Sequence, residues 1–451
     1  MMTRARLSIV GCLWVGTAAA QSGAAGFFNP LSASHDGIHL YGVSIYGGYF
    51  SGGIPFEMAS SSNFLASGAQ AVGGGSIRLG LTRRREDSSL AITYSPSFIA
   101  SPDYTNVNLI NSSFSLNWHR KVGQKWSVDT GVTALVSDLQ QTYFSANAFG
   151  QAASLPTTFD GLAAAMLSGT FTDSQLASAL TGASARVMPE QTYLYGDRFL
   201  SATVRAGISY APNGRSSFHA GVFSTRVQHL DSGQTAGGGA PSVIPQTTMG
   251  GASLGWAYAL SPRTHIGLDA STTRTFSRVQ DSYASTATFS IGRTISEHWF
   301  VQGRVGGGMT TYQRQIVAAP SNIPYTLGGS IGYKVHAHTL IASFDRSLAD
   351  SYGLGSTSTD SAMAGWAWKA PGSLWSLSSN FGYQRLNGGL VLRNESWRAT
   401  GGIARALNRH VFMSLQYAYF TAPAYLSTSA NLTEPENAVI LGLSWSPSSY
   451  R

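Results

Sequence analysis

Hydrophobic and polar positions alternate along most of this chain. Near the N-terminus, Tyr41, Val43 and Ile45 are separated by glycine and serine, and near the C-terminus a glycine separates Leu441 from Leu443. Residues two apart in sequence point to the same face of a β-strand. The alternation therefore predicts strands that have one apolar face and one face of small or polar residues.

The pattern recurs in about eighteen segments, an even number, as a bacterial up-and-down barrel requires. The predicted strands are 39–50, 71–83, 89–98, 107–120, 125–137, 198–210, 216–228, 248–260, 264–276, 281–294, 298–312, 325–335, 338–347, 358–369, 373–385, 394–407, 410–420 and 436–446.

Short and long connections join these strands in alternation. The short ones are tight turns such as 84–87 and 212–214, whereas stretches such as 51–70 and 229–247 are long and rich in glycine, serine and proline. Short turns on one side and long loops on the other are typical of outer-membrane barrels. The predicted fold is all-β, a transmembrane antiparallel up-and-down β-barrel with short periplasmic turns and long extracellular loops.

The composition agrees with a membrane-embedded barrel. Charged residues make up only 11% of the 451 residues, aromatic residues also reach 11%, and the mean hydropathy is −0.01. Soluble domains carry roughly 25% charged residues. Beyond the N-terminus there is no run of about 18 apolar residues that could form a membrane-spanning helix. Low charge without long apolar runs is typical of strands that present lipid with every second residue.

The first residues predict an exported protein. Arg4 and Arg6 precede a short apolar run, and Ala18-Ala19-Ala20 forms a small-residue cleavage site, as in a secretory signal peptide. The barrel is then expected in the bacterial outer membrane, with both termini in the periplasm. The predicted organisation is a signal peptide at 1–20, a short periplasmic segment at 21–38, the barrel at 39–446 and a periplasmic tail at 447–451.

One predicted extracellular loop, 138–197, is long and partly helical in pattern. Thr172-Asp173-Ser174-Gln175 forms a capping-box sequence, and Gly182 ends the helical pattern that follows. Two interpretations stay open. The loop folds into the barrel or over its mouth, or it is a surface excursion with no gating role.

Aromatic residues recur near the strand ends beside the short turns. This placement predicts a belt at the membrane interface, where an amphipathic ring lies at headgroup level. Its predicted members are Trp118, Trp126, Tyr210, Trp256, Tyr258, Trp299, Trp368, Trp375 and Tyr417.

Charged residues fall on the small, polar face of several strands, which would point them into the barrel. An arginine on the lipid face near mid-bilayer would cost about 2–4 kcal/mol, so inward placement is also energetically favoured. Most of these residues lie at a similar distance from a short turn, and Asp129 and Arg205 are placed to pair directly. The predicted lumen or constriction residues are Arg78, Asp129, Arg205, Asp269, Arg304, Asp345 and Arg398.

Two interpretations of these charges stay open. In the first, they line a constriction whose excess of arginine favours anions or acidic solutes. In the second, they are salt bridges that tie the inner wall together and have little influence on what passes.

Motifs of soluble enzymes are present but in the wrong context. Gly251–Gly255 and Gly328–Gly332 match G-x-S-x-G, yet both lie inside predicted strands rather than at the strand–turn–helix that a nucleophilic serine needs. His336 and His338 flank a predicted turn, with no third metal ligand placed near them. The sequence therefore predicts no catalytic residue, no metal site, no cofactor and no enzymatic activity.

The sequence resembles bacterial outer-membrane β-barrel proteins of the porin-like kind. The resemblance rests on the signal Ala18-Ala19-Ala20, the alternating strands and the aromatic final strand with Val439, Leu441, Leu443 and Trp445. Such barrels generally finish on a terminal aromatic residue, whereas here residues 446–451 follow Trp445. The strand number and basic inner face also resemble exopolysaccharide-export barrels.

The leading functional prediction is a porin-like channel for the passive passage of small hydrophilic solutes, with a preference for anions if the arginines line its constriction. The alternatives are an exopolysaccharide-export conduit and a non-conducting structural or surface barrel. Expected partners are outer-membrane lipid and lipopolysaccharide, the barrel-assembly machinery and small solutes. No nucleic-acid partner is expected.

Overall fold

The structure, a computed structural model, describes residues 36–51, 69–101, 104–138, 198–230, 246–278, 280–315, 325–350, 356–369, 372–387, 395–408, 410–421 and 436–445. Its strands are β1 Gly37–Ser51, β2 Ala69–Arg84, β3 Ser88–Ser101, β4 Tyr104–Val122, β5 Trp126–Asp138, β6 Arg198–Tyr210, β7 Ser216–His229, β8 Thr247–Ser261, β9 Thr264–Ser277, β10 Gln280–Thr294, β11 Trp299–Gln315, β12 Thr326–Val335, β13 His338–Asp350, β14 Ser356–Trp368, β15 Trp375–Asn387, β16 Glu395–Ala406, β17 Val411–Thr421 and β18 Glu436–Trp445. Each predicted strand is present, with ends that differ by at most a few residues, so the all-β prediction is confirmed.

The eighteen strands form one closed antiparallel sheet. Each strand pairs with its neighbours in sequence, and β1 also pairs with β18, where Ile45 lies opposite Leu443. An even number of strands allows this closure, because an odd number would bring the first and last strands together in parallel. The closed sheet has no free edge, which is the condition that lipid places on β-structure.

Alternation gives the barrel two different walls. On the outer wall, Leu254 of β8 and Leu268 of β9 are 64% and 50% exposed. The residues between such positions point inward, and many of them, including Ser115, Ser330 and Thr400, are buried. The apolar side chains that a soluble protein would place in a core therefore lie on the outside, as in a barrel whose outer solvent is lipid.

Polar side chains build the short turns. Asn213 Oδ1 accepts hydrogen bonds from the N–H groups of Arg215 and Ser216 at 2.9 and 2.7 Å, and Asn408 Oδ1 accepts two of 2.8 Å in the same way. Asparagine favours turns because its side chain satisfies the backbone locally. We call this end of the barrel the short-turn end and the opposite end the long-loop end.

Aromatic side chains form belts at both ends of the outer wall. At the short-turn end, Trp126 and Tyr210 have ring centroids 4.4 Å apart, within the predicted belt. Tyr417, predicted at the same end, lies further along β17, nearer the long-loop end. A second belt at the long-loop end, in which Trp397 and Tyr383 are 4.4 Å apart, was missed by the sequence analysis.

Several predictions lie outside the described residues. These are the signal peptide 1–20, nearly all of the segment 21–38, nearly all of the loop 138–197 and the tail 447–451. They stay predictions. In the described ranges, no helix is long and apolar enough to cross a membrane.

An arginine at an outer-wall position should reveal which wall faces lipid. We expect Leu254→Arg to lower the free energy of unfolding by about 2–4 kcal/mol, because a guanidinium would enter the apolar band. The neighbouring Ser253→Arg variant points inward and should cost less. Urea titration of the protein refolded into lipid vesicles measures both changes, and equal losses would contradict the assignment of the walls.

Candidate functional site

The inner wall carries the predicted charged residues. Asp269 follows the exposed Leu268 in β9, and Arg304 precedes the exposed Val305 in β11, so both side chains point inward. The same parity places Arg78, Asp129, Arg205 and Asp345 on the inner wall. Arg398 lies in β16, but its side chain is outside the described part of the structure.

Arg304 and Asp345 form an ion pair across an intervening strand. Arg304 Nη2 on β11 donates a hydrogen bond to Asp345 Oδ1 on β13. Between them, on β12, lies Gly328, which pairs with both residues in the sheet. The two side chains are only 24% and 12% exposed, so the wall and the paired group shield each charge from solvent.

His219 and Asp269 make the same kind of contact. His219 Nε2 on β7 lies 3.2 Å from Asp269 Oδ1 on β9. Gly255 of β8 is opposite both of them, and a Cβ there would overlap both side chains. The sequence analysis did not single out His219, because a lone histidine on a predicted strand carries no sign of a partner two strands away.

The sequence predicted that Arg205 and Asp129 pair directly, but in the structure they do not. Arg205 Nη2 on β6 donates to Asn117 Oδ1 on β4 at 3.0 Å, across Gly131 of β5, whose Cβ would lie 2.6 Å from Arg205 Nε. The Asp129 carboxylate instead covers Gly207, where a Cβ would lie 2.7 Å from Oδ1. The two side chains are therefore offset from each other: Arg205 lies over Gly131 of β5, and Asp129 lies over Gly207 of β6.

The contacts Arg304–Asp345, His219–Asp269 and Arg205–Asn117 share one arrangement. A polar or charged side chain lies along the inner wall and reaches a partner two strands away, over a glycine on the strand between. Adjacent strands are about 4.8 Å apart, so a long side chain spans two strands only where the intervening position has no side chain. The charges thus lie flat against the wall and are partly neutralised by their neighbours.

Hydroxyl pairs fill other parts of the inner wall. Thr93 and Ser115 hydroxyls are 2.6 Å apart, and those of Thr203 and Thr225 are 2.8 Å apart. Each pair joins adjacent strands and satisfies side chains that would otherwise be half-buried without a partner. The inner surface is therefore largely hydrophilic as well as charged, although apolar side chains such as Phe300 and Ile341 are also buried in it.

The described residues contain no group of three or more histidine, cysteine, aspartate or glutamate side chains that could hold a metal ion. His338, one of the two turn histidines considered in the sequence, accepts a hydrogen bond from Trp366 Nε1 at 3.1 Å. Its ring stacks near the same tryptophan, with the centroids 5.9 Å apart. This histidine is thus part of the aromatic belt at the short-turn end.

The closed sheet, the apolar outer wall, the aromatic belts and the hydrophilic inner wall together define a transmembrane β-barrel of the outer-membrane, porin-like class. No protein-family model and no curated protein matches the chain.

Solved structures that are similar to the chain include those of three Pseudomonas proteins. OccK9 (OpdG) of Pseudomonas aeruginosa has 10% identity and a TM-score of 0.44, over 90% of this chain and 98% of that one. OccK2 (OpdF) of the same species, in complex with glucuronate, has 9% identity and a TM-score of 0.45, over 92% and 99%. A BenF-like porin from Pseudomonas fluorescens Pf-5 has 10% identity and a TM-score of 0.43, over 91% and 98%.

The role of the intervening glycines can be tested at Gly328. We expect Gly328→Ala to push Arg304 away from Asp345 and to lower the free energy of unfolding by about 1–3 kcal/mol, because a mostly buried charge pair would lose its hydrogen bond. Gly402→Ala is the matched control, since a Cβ at this inner-wall glycine would have Ser378 Oγ as its nearest neighbour at 3.5 Å, an ordinary contact. Denaturant unfolding in lipid vesicles measures both, and equal effects would contradict the spanning role of Gly328.

Proposed function

We propose that this protein is an outer-membrane channel for the passive passage of small hydrophilic solutes. The observation that supports this best is the contrast between the two walls of a closed sheet of eighteen strands. Barrels of 16–18 strands are wide enough to enclose an aqueous lumen. A largely hydrophilic inner wall offers hydrogen bonds to water and solutes.

The proposed orientation places the short-turn end in the periplasm and the long-loop end outside the cell, with both termini periplasmic. Short periplasmic turns and longer extracellular loops are the general arrangement in such barrels. In this setting the outer wall contacts phospholipid in the inner leaflet and lipopolysaccharide in the outer leaflet, and insertion depends on the barrel-assembly machinery. The proposed activity is passage rather than catalysis.

Arg205 is an inner-wall cation that we expect to influence selectivity more than Arg304 does. Its guanidinium donates a hydrogen bond to the neutral Asn117 and interacts with Asp129 only electrostatically, without a hydrogen bond. Arg304, by contrast, is hydrogen-bonded to the carboxylate of Asp345, and Asp269 faces His219. Paired charges largely cancel each other's field at a distance. A preference for anions would therefore depend more on Arg205 than on the simple number of arginines.

Single-channel recording tests the channel proposal directly. The refolded mature protein in a planar lipid bilayer should produce steady, reproducible conductance steps. Insertion and heat-resistant folding without any conductance would contradict an open channel and favour the export conduit or the structural barrel. Deleting most of the loop 138–197 would then show whether that loop closes the lumen.

The selectivity proposal is tested by reversal potentials under a salt gradient. Arg205→Gln should shift the reversal potential towards cation selectivity, because it removes a positive charge from the inner wall. Arg304→Gln combined with Asp345→Asn keeps the net charge of the inner wall unchanged and should produce a smaller shift. Arg293→Gln, on the outer wall at the short-turn end, is the control. Equal shifts for Arg205→Gln and Arg293→Gln would contradict the assignment.

A further inference from the structure

The outer wall carries arginines near its long-loop end. Arg226 of β7 and Arg274 of β9 have the same parity as the exposed Val222 and Leu268, so both point outward. Arg274 is 48% exposed. On each of these strands the outward positions nearer the short-turn end are uncharged, so charge first appears on this part of the outer wall at the arginines.

A β-bulge brings a third arginine to the same place. Simple alternation along β11 would put Arg314 on the inner wall with Arg304. The sheet register shifts between Asp281 and Ser282 of β10, so that Arg314 lies opposite Asp281. The Arg314 guanidinium then lies 5.8 Å from the ring centroid of the outward Phe276. Bulges at strand ends commonly redirect a side chain in this way.

These arginines, with Asp281, form a group across strands β7 to β11 that we call the outer arginine cluster: Arg226, Arg274, Arg314 and Asp281. In the sheet, Arg226 lies opposite Thr248, and Arg274 lies opposite Gly250 on the same strand β8. From the strand spacing and the rise per residue, the backbones of Arg226 and Arg274 are about 12 Å apart, and those of Arg226 and Arg314, four strands apart, are about 19 Å apart. Three guanidinium groups and one carboxylate leave a net charge of +2 on this part of the outer wall.

Contacts within the protein hold two of the guanidinium groups in place. Arg274 donates from Nε and Nη2 to the two carboxylate oxygens of Asp281 at 3.1 and 3.0 Å, and it lies 5.1 Å from the ring centroid of Tyr283. Arg314 Nη2 donates to the carbonyl oxygen of Ser277 at 2.7 Å. A guanidinium has five N–H donors, so both groups keep donors for an external acceptor.

A related arrangement occurs further round the same rim. Arg346 of β13 lies opposite Asp360 of β14, which in turn lies opposite Arg385 of β15, and the Arg346 guanidinium is 4.5 Å from the ring centroid of Tyr325. Outward arginines beside aromatic rings therefore recur along the long-loop rim. This is the level at which an apolar membrane band gives way to charged headgroups.

From this placement we infer that the outer arginine cluster binds the phosphate groups of lipid A, the anionic glycolipid anchor of the outer leaflet. Arginine matches phosphate through paired N–H donors, and the apolar band directly below the cluster suits acyl chains. The inference rests on the proposed orientation, with the long-loop end in the outer leaflet, but it does not depend on conduction through the lumen.

The test measures binding of lipid A carrying both phosphates to the full-length mature protein in detergent micelles. Arg226→Gln with Arg314→Gln leaves the Arg274–Asp281 pair intact, and we expect it to weaken binding about tenfold. The matched control is Arg120→Gln with Arg293→Gln. It removes two exposed outer-wall arginines at the short-turn end and should change the affinity by less than about twofold. Equal losses in the two double variants, or no loss in the first, would overturn the inference.

Further probes identify the occupant. Dephosphorylated lipid A should bind the unmodified protein and the Arg226/Arg314 double variant equally weakly. If inorganic phosphate or phosphatidylglycerol bound the unmodified protein as tightly as lipid A does, the assignment to lipid A would be overturned.

The unmodified protein provides a check that needs no variant. High salt should weaken its binding of phosphorylated lipid A, because exposed charge pairs are screened, and an affinity insensitive to salt would overturn the inference. A protein that conducts ions without binding lipid A overturns only this inference, whereas one that binds lipid A without conducting overturns only the channel.

Discussion

The need to satisfy every backbone N–H and C=O group in a medium without water shapes this whole molecule. In lipid, an unpaired backbone group costs several kcal/mol, so a sheet must close on itself. The antiparallel pairing of β1 with β18 provides that closure. Once the sheet is closed, alternation alone sorts the side chains, and each residue belongs either to a wall that meets lipid or to a wall that surrounds the lumen.

The inner wall shows how charged side chains are accommodated in the barrel. In the part of the chain that the structure describes, long inward side chains find their partners along the wall itself. The glycines at 131, 255 and 328 open the space for this, so that partners from alternate strands meet over a strand that has no side chain there. The pairing limits the field that these charges project into the lumen.

The outer wall follows the profile of the membrane that it meets. Apolar residues occupy the middle, aromatic belts flank them, and the outward charges of the described strands lie towards the two ends. Arginine at the rim keeps its aliphatic stem over apolar surface while its guanidinium reaches the headgroup level. Aromatic rings such as Tyr283 and Tyr325 hold some of these groups flat against the wall.

The alternation of the sequence by itself determined the eighteen strands, the two walls and the inward direction of residues such as Asp269 and Arg304. These features follow from a strict period of two and from the chemistry of turns, which are local properties. The tertiary structure decided what depends on register between strands. It brought His219 to Asp269, separated Asp129 from Arg205, and used a bulge to move Arg314 to the outer wall. Register is set by pairing between distant segments, and no single strand's pattern contains it.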